Sequence, residues 1–445
     1  AGEHDLPPDN VQTQPPTGTA HRTSPTNMGF ALLSALGAHA LGVDNGRGLA
    51  LAERMLTTME QLPRWNGHFY NWYHTCTLRP MPPLYALLAA ANALRGWGQG
   101  ALAARAQALC DGMDFALLYD PQRRLMHIGI DTGSGKRSEG YYDLLESEAR
   151  LTSYFAVARG DVPREHWRAL SRAQVQHERY RGCVSWSGSV FEYLMPELFL
   201  PPLRDSLLWE SAKFCLRVQR RRVRTGQPWG VSESAYLALD SALSYRYKAH
   251  GCAALAMQPD MDRELVLSPY SAFLALAVAP RAAVRNLRRF SARGLPGQYG
   301  FREALDCTRA RTGGGGQIVH CVMAHHQGMS LLSACNALCG GQVQRCAQRR
   351  NLFLTRRSSR LWKVMTQSRP PGARQSKMAS RPSFSASSSE FTAMRMAWKV
   401  RRAGFFALRR SAGGTAEATI SASCIVVVMG FSARADTILP AICHA

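Results

Sequence analysis

Apolar residues return every three or four positions along most of the first 340 residues, and this periodicity is the strongest constraint on the fold. "SPTNMGFALLSALGAHAL" (24 to 41) opens with Ser24 and Thr26 as candidate caps and runs on at helical spacing. The same rhythm fills 49–62, 84–94, 102–118, 141–158, 205–223, 232–245, 271–278 and 323–338. Strand alternation is scarce, with "RRLMHIGID" (123 to 131) the best candidate. Roughly ten amphipathic helices with short connections predict an all-α bundle or toroid.

The rhythm sets three regions. Residues 1–26 read as an extended lead-in, 27–344 as the helical body, and 345–445 as a basic low-complexity tail. The net charge of +23 is uneven: 341–445 carries 18 basic and 3 acidic residues, +15, which leaves +8 for the rest. The excess belongs to the tail, so no nucleic-acid partner is expected for the body. The tail reads as disordered, with a nucleic-acid or membrane arm and out-of-frame translation as the competing readings. No apolar run approaches the roughly 18 residues of a membrane span. Twelve cysteines without CxxC pairs point to reduced, buried thiols and a cytoplasmic setting.

Chemistry concentrates in the connections. "HFYNWYHTC" (68 to 76) mixes aromatics with His68, His74 and Cys76, but bulky rings separate these ligands and the metal reading is set aside. No cofactor is called for. Aromatic faces beside polar groups suit sugar rings, which show flat C–H faces and hydroxyl edges. The mixture recurs in "VSWSGSVFEYLMP", "GQPWGVSESAY", "LSYRYKAHG" and "LPGQYGFREALD", which suggests one cleft built from connections. Tyr70, Trp72, Tyr141, Trp186, Trp229 and Tyr299 are its candidate walls. His325, His326 and Gln327, at the start of a helix, are candidate polar lining.

Three carboxylates fall in these segments: Glu148, Glu192 and Glu233. Glycoside chemistry needs one protonated carboxyl and one ionised one. Glu148, placed on a helix after Tyr141 and Tyr142, suits the protonated role. Glu233, between Ser232 and Ser234, suits the ionised role.

These blocks, together with "GHFYNWY", "YYDLLESEARLTSYFAVARGDVPREHW" and "MAHHQGMSLL", resemble the glycoamylase-like domain of bacterial cyclic β-1,2-glucan synthases, from about Asp9 to Gln344. The resemblance implies an (α/α)6 toroid with a β-glucan cleft. It also implies retaining transglycosylation that closes a linear glucan into a ring, with Glu148 as acid/base, Glu233 as nucleophile and Glu192 as a sugar-binding or supporting carboxylate. Relatives of this kind are membrane-bound at the inner face of the bacterial inner membrane. Three departures stand out, the first being that the similarity ends abruptly near residue 345. His74 occupies the place of a family Asp, and a polar family segment is missing after Pro83. They raise the alternative of an incomplete toroid that is a non-catalytic glucan-binding remnant.

Overall fold

The structure is a computed structural model that describes residues 4–82, 86–87, 100–201, 203–309 and 315–348. The tail expected over 345–445 lies outside these residues, apart from the end of a short helix, Gln342–Gln348.

The helix Pro25–Ala40 is central. Ser24 Oγ accepts the Asn27 N–H at 3.0 Å, and Pro25 at the first helical position loses no hydrogen bond. Buried residues lie all round it, so no side is left for solvent. Phe30 and Leu33 join one core with Tyr154, Phe214 and Leu287, while Met28, Leu32 and Leu36 join a second with Leu51, Met55 and Phe69. Its neighbours are the helices Gly48–Gln61 and Ala324–Leu338. The second comes close at Gly37, where a Cβ would stand 3.2 Å from Leu332 Cδ2.

Further helices lie at Gly100–Asp111, Arg150–Arg159, Leu207–Arg221, Pro269–Leu274 and Pro280–Ser291. Leu207–Arg221 is capped by Ser206, which accepts the Trp209 N–H at 3.2 Å. Glu210 in its first turn and Arg220 and Arg221 in its last suit the helix dipole. The helix Pro280–Ser291 was not foreseen. Among the described residues the helices dominate the cores, but short antiparallel sheets cross the connections, which an all-α reading did not anticipate.

Four expectations change. The helix expected over 232–245 is the strand Ser234–Leu239, paired with Tyr245–Lys248. Its backbone N–H groups find partners outside any helix: Ala235 donates to Glu303 at 3.3 Å and Leu237 to Asp306 at 3.1 Å. Such tertiary partners outweigh a propensity of a few tenths of a kcal/mol per residue. The helix expected over 141–158 begins only at Arg150, because Leu144 and Glu146 make parallel bridges to Ser171 and Ser185. Of the helix expected over 84–94, only Ala86–Leu87 is described, as a strand against His68–Tyr70. Lastly, the lead-in is part of the fold. Asn10–Gln12 pairs with Cys321–Met323, and Arg22–Thr23 with Tyr73–His74.

Arg150, 1% exposed, ties the body together. It donates to Glu146 at 2.7 Å, to Glu197 at 3.0 Å, and to the carbonyls of Glu192 and Tyr193 at 3.2 and 2.7 Å. Both carboxylates are equally buried. Removing Arg150 leaves two buried carboxyls, which burial pushes up to about 7 and about 8, and two buried carbonyls without their donor, at about 3–5 kcal/mol. Arg150→Ala is therefore expected to lower the free energy of urea unfolding at pH 7 by about that amount. A loss under about 1 kcal/mol would contradict this role.

Candidate active site

Glu148, Glu192 and Glu233 come from three separate segments and are all buried, at 5%, 4% and 8% exposure. Glu148 stands in the turn before the helix Arg150–Arg159, not on a helix as expected. Ser147 Oγ donates to it at 3.2 Å.

Glu192 opens a short helix, Val190–Leu194, through a capping box with Ser189. Its carboxylate accepts the hydroxyls of Ser185, Ser187 and Ser189 at 2.8, 2.6 and 2.9 Å, and the backbone N–H groups of Ser187 and Ser189 at 2.9 and 3.0 Å. Five donors saturate it within the protein, which makes it a fixed local charge.

Glu233 enters the strand Ser234–Leu239 after a Gly230 bend. Gly230 has φ +126°, and a Cβ there would stand 2.8 Å from Ser271 Cβ, so both conformation and space call for glycine. Tyr270 Oη bonds Ser232 Oγ at 2.7 Å and the Glu233 carbonyl at 3.0 Å.

Glu148 and Glu233 both feel the charge of Glu192, and Glu233 also feels that of Glu148. Burial, then the charge of Glu192, pushes Glu148 up to about 7. Burial, then the charges of Glu148 and Glu192, pushes Glu233 well above the usual carboxylate range, while a hydrogen bond from Tyr247 opposes the rise. The Glu148–Glu233 pair is poised to keep a proton near neutral pH.

Behind Glu233 lies a polar chain that the sequence reveals only in part. Tyr247 Oη is 3.2 Å from Glu233 Oε2, 3.2 Å from His325 Nε2 and 3.5 Å from His326 Nε2. His326 Nδ1 is 2.8 Å from Glu303 Oε1. The Tyr270 ring stacks on His326 with centroids 3.7 Å apart. Burial pushes both histidines down to about 3, so the imidazoles are neutral. Burial pushes Glu303 up to about 8. Tyr247 and Glu303 sit in segments whose mixed composition stands out, but nothing in the sequence singles out either residue.

The lead-in closes this side. Asp9 accepts Arg22 at 3.0 Å and Asn27 at 3.1 Å, and its carbonyl accepts the Ala324 N–H that begins the His325 helix.

The expected wall residues fare unevenly. Trp72 is half-buried with the Arg22 guanidinium 4.7 Å above its ring. Tyr141 is half-buried, stacks on His127 at 4.4 Å and donates to Asp120 at 2.7 Å. Tyr70 meets Tyr73 edge-on. Trp186 is half-buried between two serines that hold Glu192, and Tyr299 is half-buried in the Pro296–Phe301 hairpin. Gln327 donates to the Phe301 carbonyl at 2.6 Å. Trp229 is a correction. At 2% exposure it packs in the core, with its backbone held by Asn286, and it lines a 320 Å³ cavity with Arg217 and Arg289. It offers no ring face to a sugar beside the carboxylates. His68 bonds the Asp114 carbonyl instead of lining up with His74 and Cys76 as a ligand.

Residues 140–350 match a glycoamylase family model described as "Putative glucoamylase". A cyclic β-(1,2)-glucan synthase, NdvB, of Rhizobium meliloti (strain 1021) is 29% identical across 77% of this chain, which spans 17% of that relative's length. Among solved structures, a putative glucoamylase from Bacteroides caccae aligns with a TM-score of 0.64 at 17% identity, covering 82% of this chain and 94% of that one. An endo-β-1,2-glucanase from Chitinophaga pinensis, in complex with sophorotriose and glucose, aligns with a TM-score of 0.64 at 14% identity over 82% and 93%. One from Talaromyces funiculosus, a Glu→Gln mutant in complex with β-1,2-glucan, aligns with a TM-score of 0.60 at 15% identity over 82% and 86%. The fold is thus that of glucoamylase-like and endo-β-1,2-glucanase proteins, and the chain resembles the glycoamylase-like domain of cyclic glucan synthases.

The raised carboxyls make stability depend on pH. Folded, Glu148 and Glu303 hold protons up to about 7 and about 8, which the unfolded chain releases near the ordinary 4.5. Stability from these groups therefore falls as pH rises across that interval. The neutral histidines act in the opposite sense only below their ordinary 6.5. The urea midpoint is expected to drop between pH 6.5 and about pH 8.5, and to drop less in Glu148→Gln. An equal drop in wild type and variant would contradict the assignment.

Proposed function

We propose that this glycoamylase-like chain is a carbohydrate-active domain that binds β-1,2-glucan and cleaves or transfers it by a two-carboxylate retaining mechanism. Its helical body is read as the (α/α)6 toroid of its relatives, with the cleft at the ends of the helices. The observation that carries the proposal is the burial of Glu148 and Glu233, with the charge of Glu148 raising the proton affinity of Glu233 and that of Glu192 raising both, beside a Glu192 already saturated with serine donors.

In this mechanism Glu148 is the general acid. Its proton passes to the glycosidic oxygen as the bond to the anomeric carbon breaks, and the leaving chain departs as an alcohol. Glu233, ionised, attacks the anomeric carbon and forms a glycosyl ester. Glu148, now ionised, removes a proton from water or from a glucan hydroxyl, which displaces Glu233. Water gives hydrolysis; a hydroxyl gives transglycosylation, and a ring when it comes from the same chain. Trp72, Tyr70, Tyr141, Trp186 and Tyr299 supply ring faces for the sugar. The described cysteines are free thiols, in keeping with a reducing cytoplasmic setting, where the ring-closing step would serve glucan synthesis.

His74 favours a second reading. It stands where the resemblance places an Asp, and its Nδ1 accepts the backbone N–H groups of Cys76 and Thr77 at 3.2 and 3.4 Å. A chain that lost an acid there would bind glucan without converting it.

Incubation with linear β-1,2-glucan, followed by mass spectrometry of the products, separates the readings. Conversion is expected, with Glu233→Gln and Glu148→Gln each reducing the rate on the order of 10³-fold. Binding without change in chain length supports the remnant, and equal rates in wild type and Glu233→Gln end the nucleophile assignment.

A further inference from the structure

The nucleophile role sets a requirement that the carboxylate cluster alone does not meet. Glu233 must be ionised to attack, yet burial, Glu148 and Glu192 all favour its protonated form. From the hydrogen-bond geometry we infer that Glu303 is a remote positioning residue, coupled to Glu233 through Tyr247 and His326, and that it takes up the proton Glu233 must lose. The inference rests on the glucan-cleaving reading above.

Hydrogen-bond polarity links the two carboxyls. Glu233 Oε2, Tyr247 Oη, His326 Nε2, His326 Nδ1 and Glu303 Oε1 follow one another at 3.2 Å, 3.5 Å, across the ring, and 2.8 Å. A neutral imidazole carries one N–H, and a tyrosine hydroxyl carries one proton. If His326 Nδ1–H donates to an ionised Glu303, its Nε2 is bare and Tyr247 donates to it. Glu233 must then be protonated and donate to Tyr247. If Glu303 is protonated and donates to Nδ1, then Nε2–H donates to Tyr247, whose proton turns to an ionised Glu233. Passing between the two moves one proton at each link and leaves Tyr247 and His326 neutral. Glu233 loses a proton and Glu303 gains one.

The surroundings fit such a store. Glu303, 2% exposed, faces His325, His326, Asp9, Cys321 and Tyr270, with the Ala235 N–H on Oε1 at 3.3 Å. Glu233 faces Glu148, Glu192, Tyr247 and Tyr270. His325 Nε2 meets the same hydroxyl at 3.2 Å and holds Tyr247 at the junction. The face-to-face stack of Tyr270 on His326 fixes the imidazole plane along the chain.

Two variants act in opposite directions. Tyr247→Phe breaks the chain, raises the proton affinity of Glu233 and moves the acid limb of kcat/KM on β-1,2-glucan to higher pH, with about a tenfold loss of rate on that limb for every pH unit it moves. Glu303→Gln presents a permanent donor to His326 and moves the same limb to lower pH. In the Tyr247→Phe background that downward movement disappears. A purely structural loss would reduce the rate at every pH, and a through-space effect of Glu303 would persist without Tyr247. A readout independent of turnover is carboxyl ¹³C NMR of the glutamate-labelled chain, with signals assigned by their loss in Glu233→Gln and Glu303→Gln. Each of the two signals is expected to show both titration steps in the wild type and one step in Tyr247→Phe. Independent single steps in the wild type, or a Glu303→Gln effect that survives Tyr247→Phe, overturn the inference. Shared steps in a chain that leaves glucan unconverted uphold the coupling and refute the glucanase reading. Unshared steps in a chain that cleaves glucan do the reverse.

Discussion

Arg150 is the interaction on which the candidate site depends. A guanidinium buried at 1% exposure cannot be left without acceptors, and here it has four, drawn from two distant stretches of chain. Glu146 lies two residues before Glu148, and the Glu192 carbonyl belongs to the serine-held carboxylate. One side chain therefore fixes the segment bearing Glu148 against the segment bearing Glu192. A buried ion cluster of this kind adds little net stability compared with apolar packing, but its donor geometry permits few arrangements. That specificity suits a site in which small displacements matter.

Around this anchor the carboxylates take different parts because their donors differ. Glu192 receives five hydrogen bonds and needs nothing from a ligand. Glu148 has Ser147, and Glu233 has a single tyrosine. Sparse donors and deep burial raise proton affinity, and a negative neighbour raises it further, so Glu192 acts on the chemistry through charge. Tyr247, His325, His326 and Glu303 extend this logic into the interior, where neutral imidazoles relay polarity without adding charge.

Much of the body was legible. Ser24 marked a helix start because a hydroxyl before an apolar run has one obvious use there, and the helices Pro25–Ala40 and Leu207–Arg221 fall within a few residues of their expected bounds. Segments near the site were misread for a common reason. "YYDLLESE" and "SESAYLAL" carry helix-favouring residues, but their backbone groups are claimed by partners far along the chain: Ser171 and Ser185 for the first, Glu303 and Asp306 for the second. Local propensity carries no information about such partners. Trp229 illustrates the converse. An aromatic beside a glycine and a candidate nucleophile reads as a sugar platform, yet Asn286 and the surrounding core hold it inside. Glu303 stood in a segment already noted, but only the fold shows that it faces His326.

The central claim is that Glu148 and Glu233 flank a bound β-1,2-glucan. A crystal structure of the Glu233→Gln variant with a linear β-1,2-glucan tests it most directly. The account predicts a glycosidic oxygen within about 3 Å of a Glu148 oxygen, with the adjoining anomeric carbon facing the residue 233 side chain across a gap of about 3–3.5 Å. A glucan seated away from both side chains, or with its scissile bond out of reach of Glu148, would contradict it.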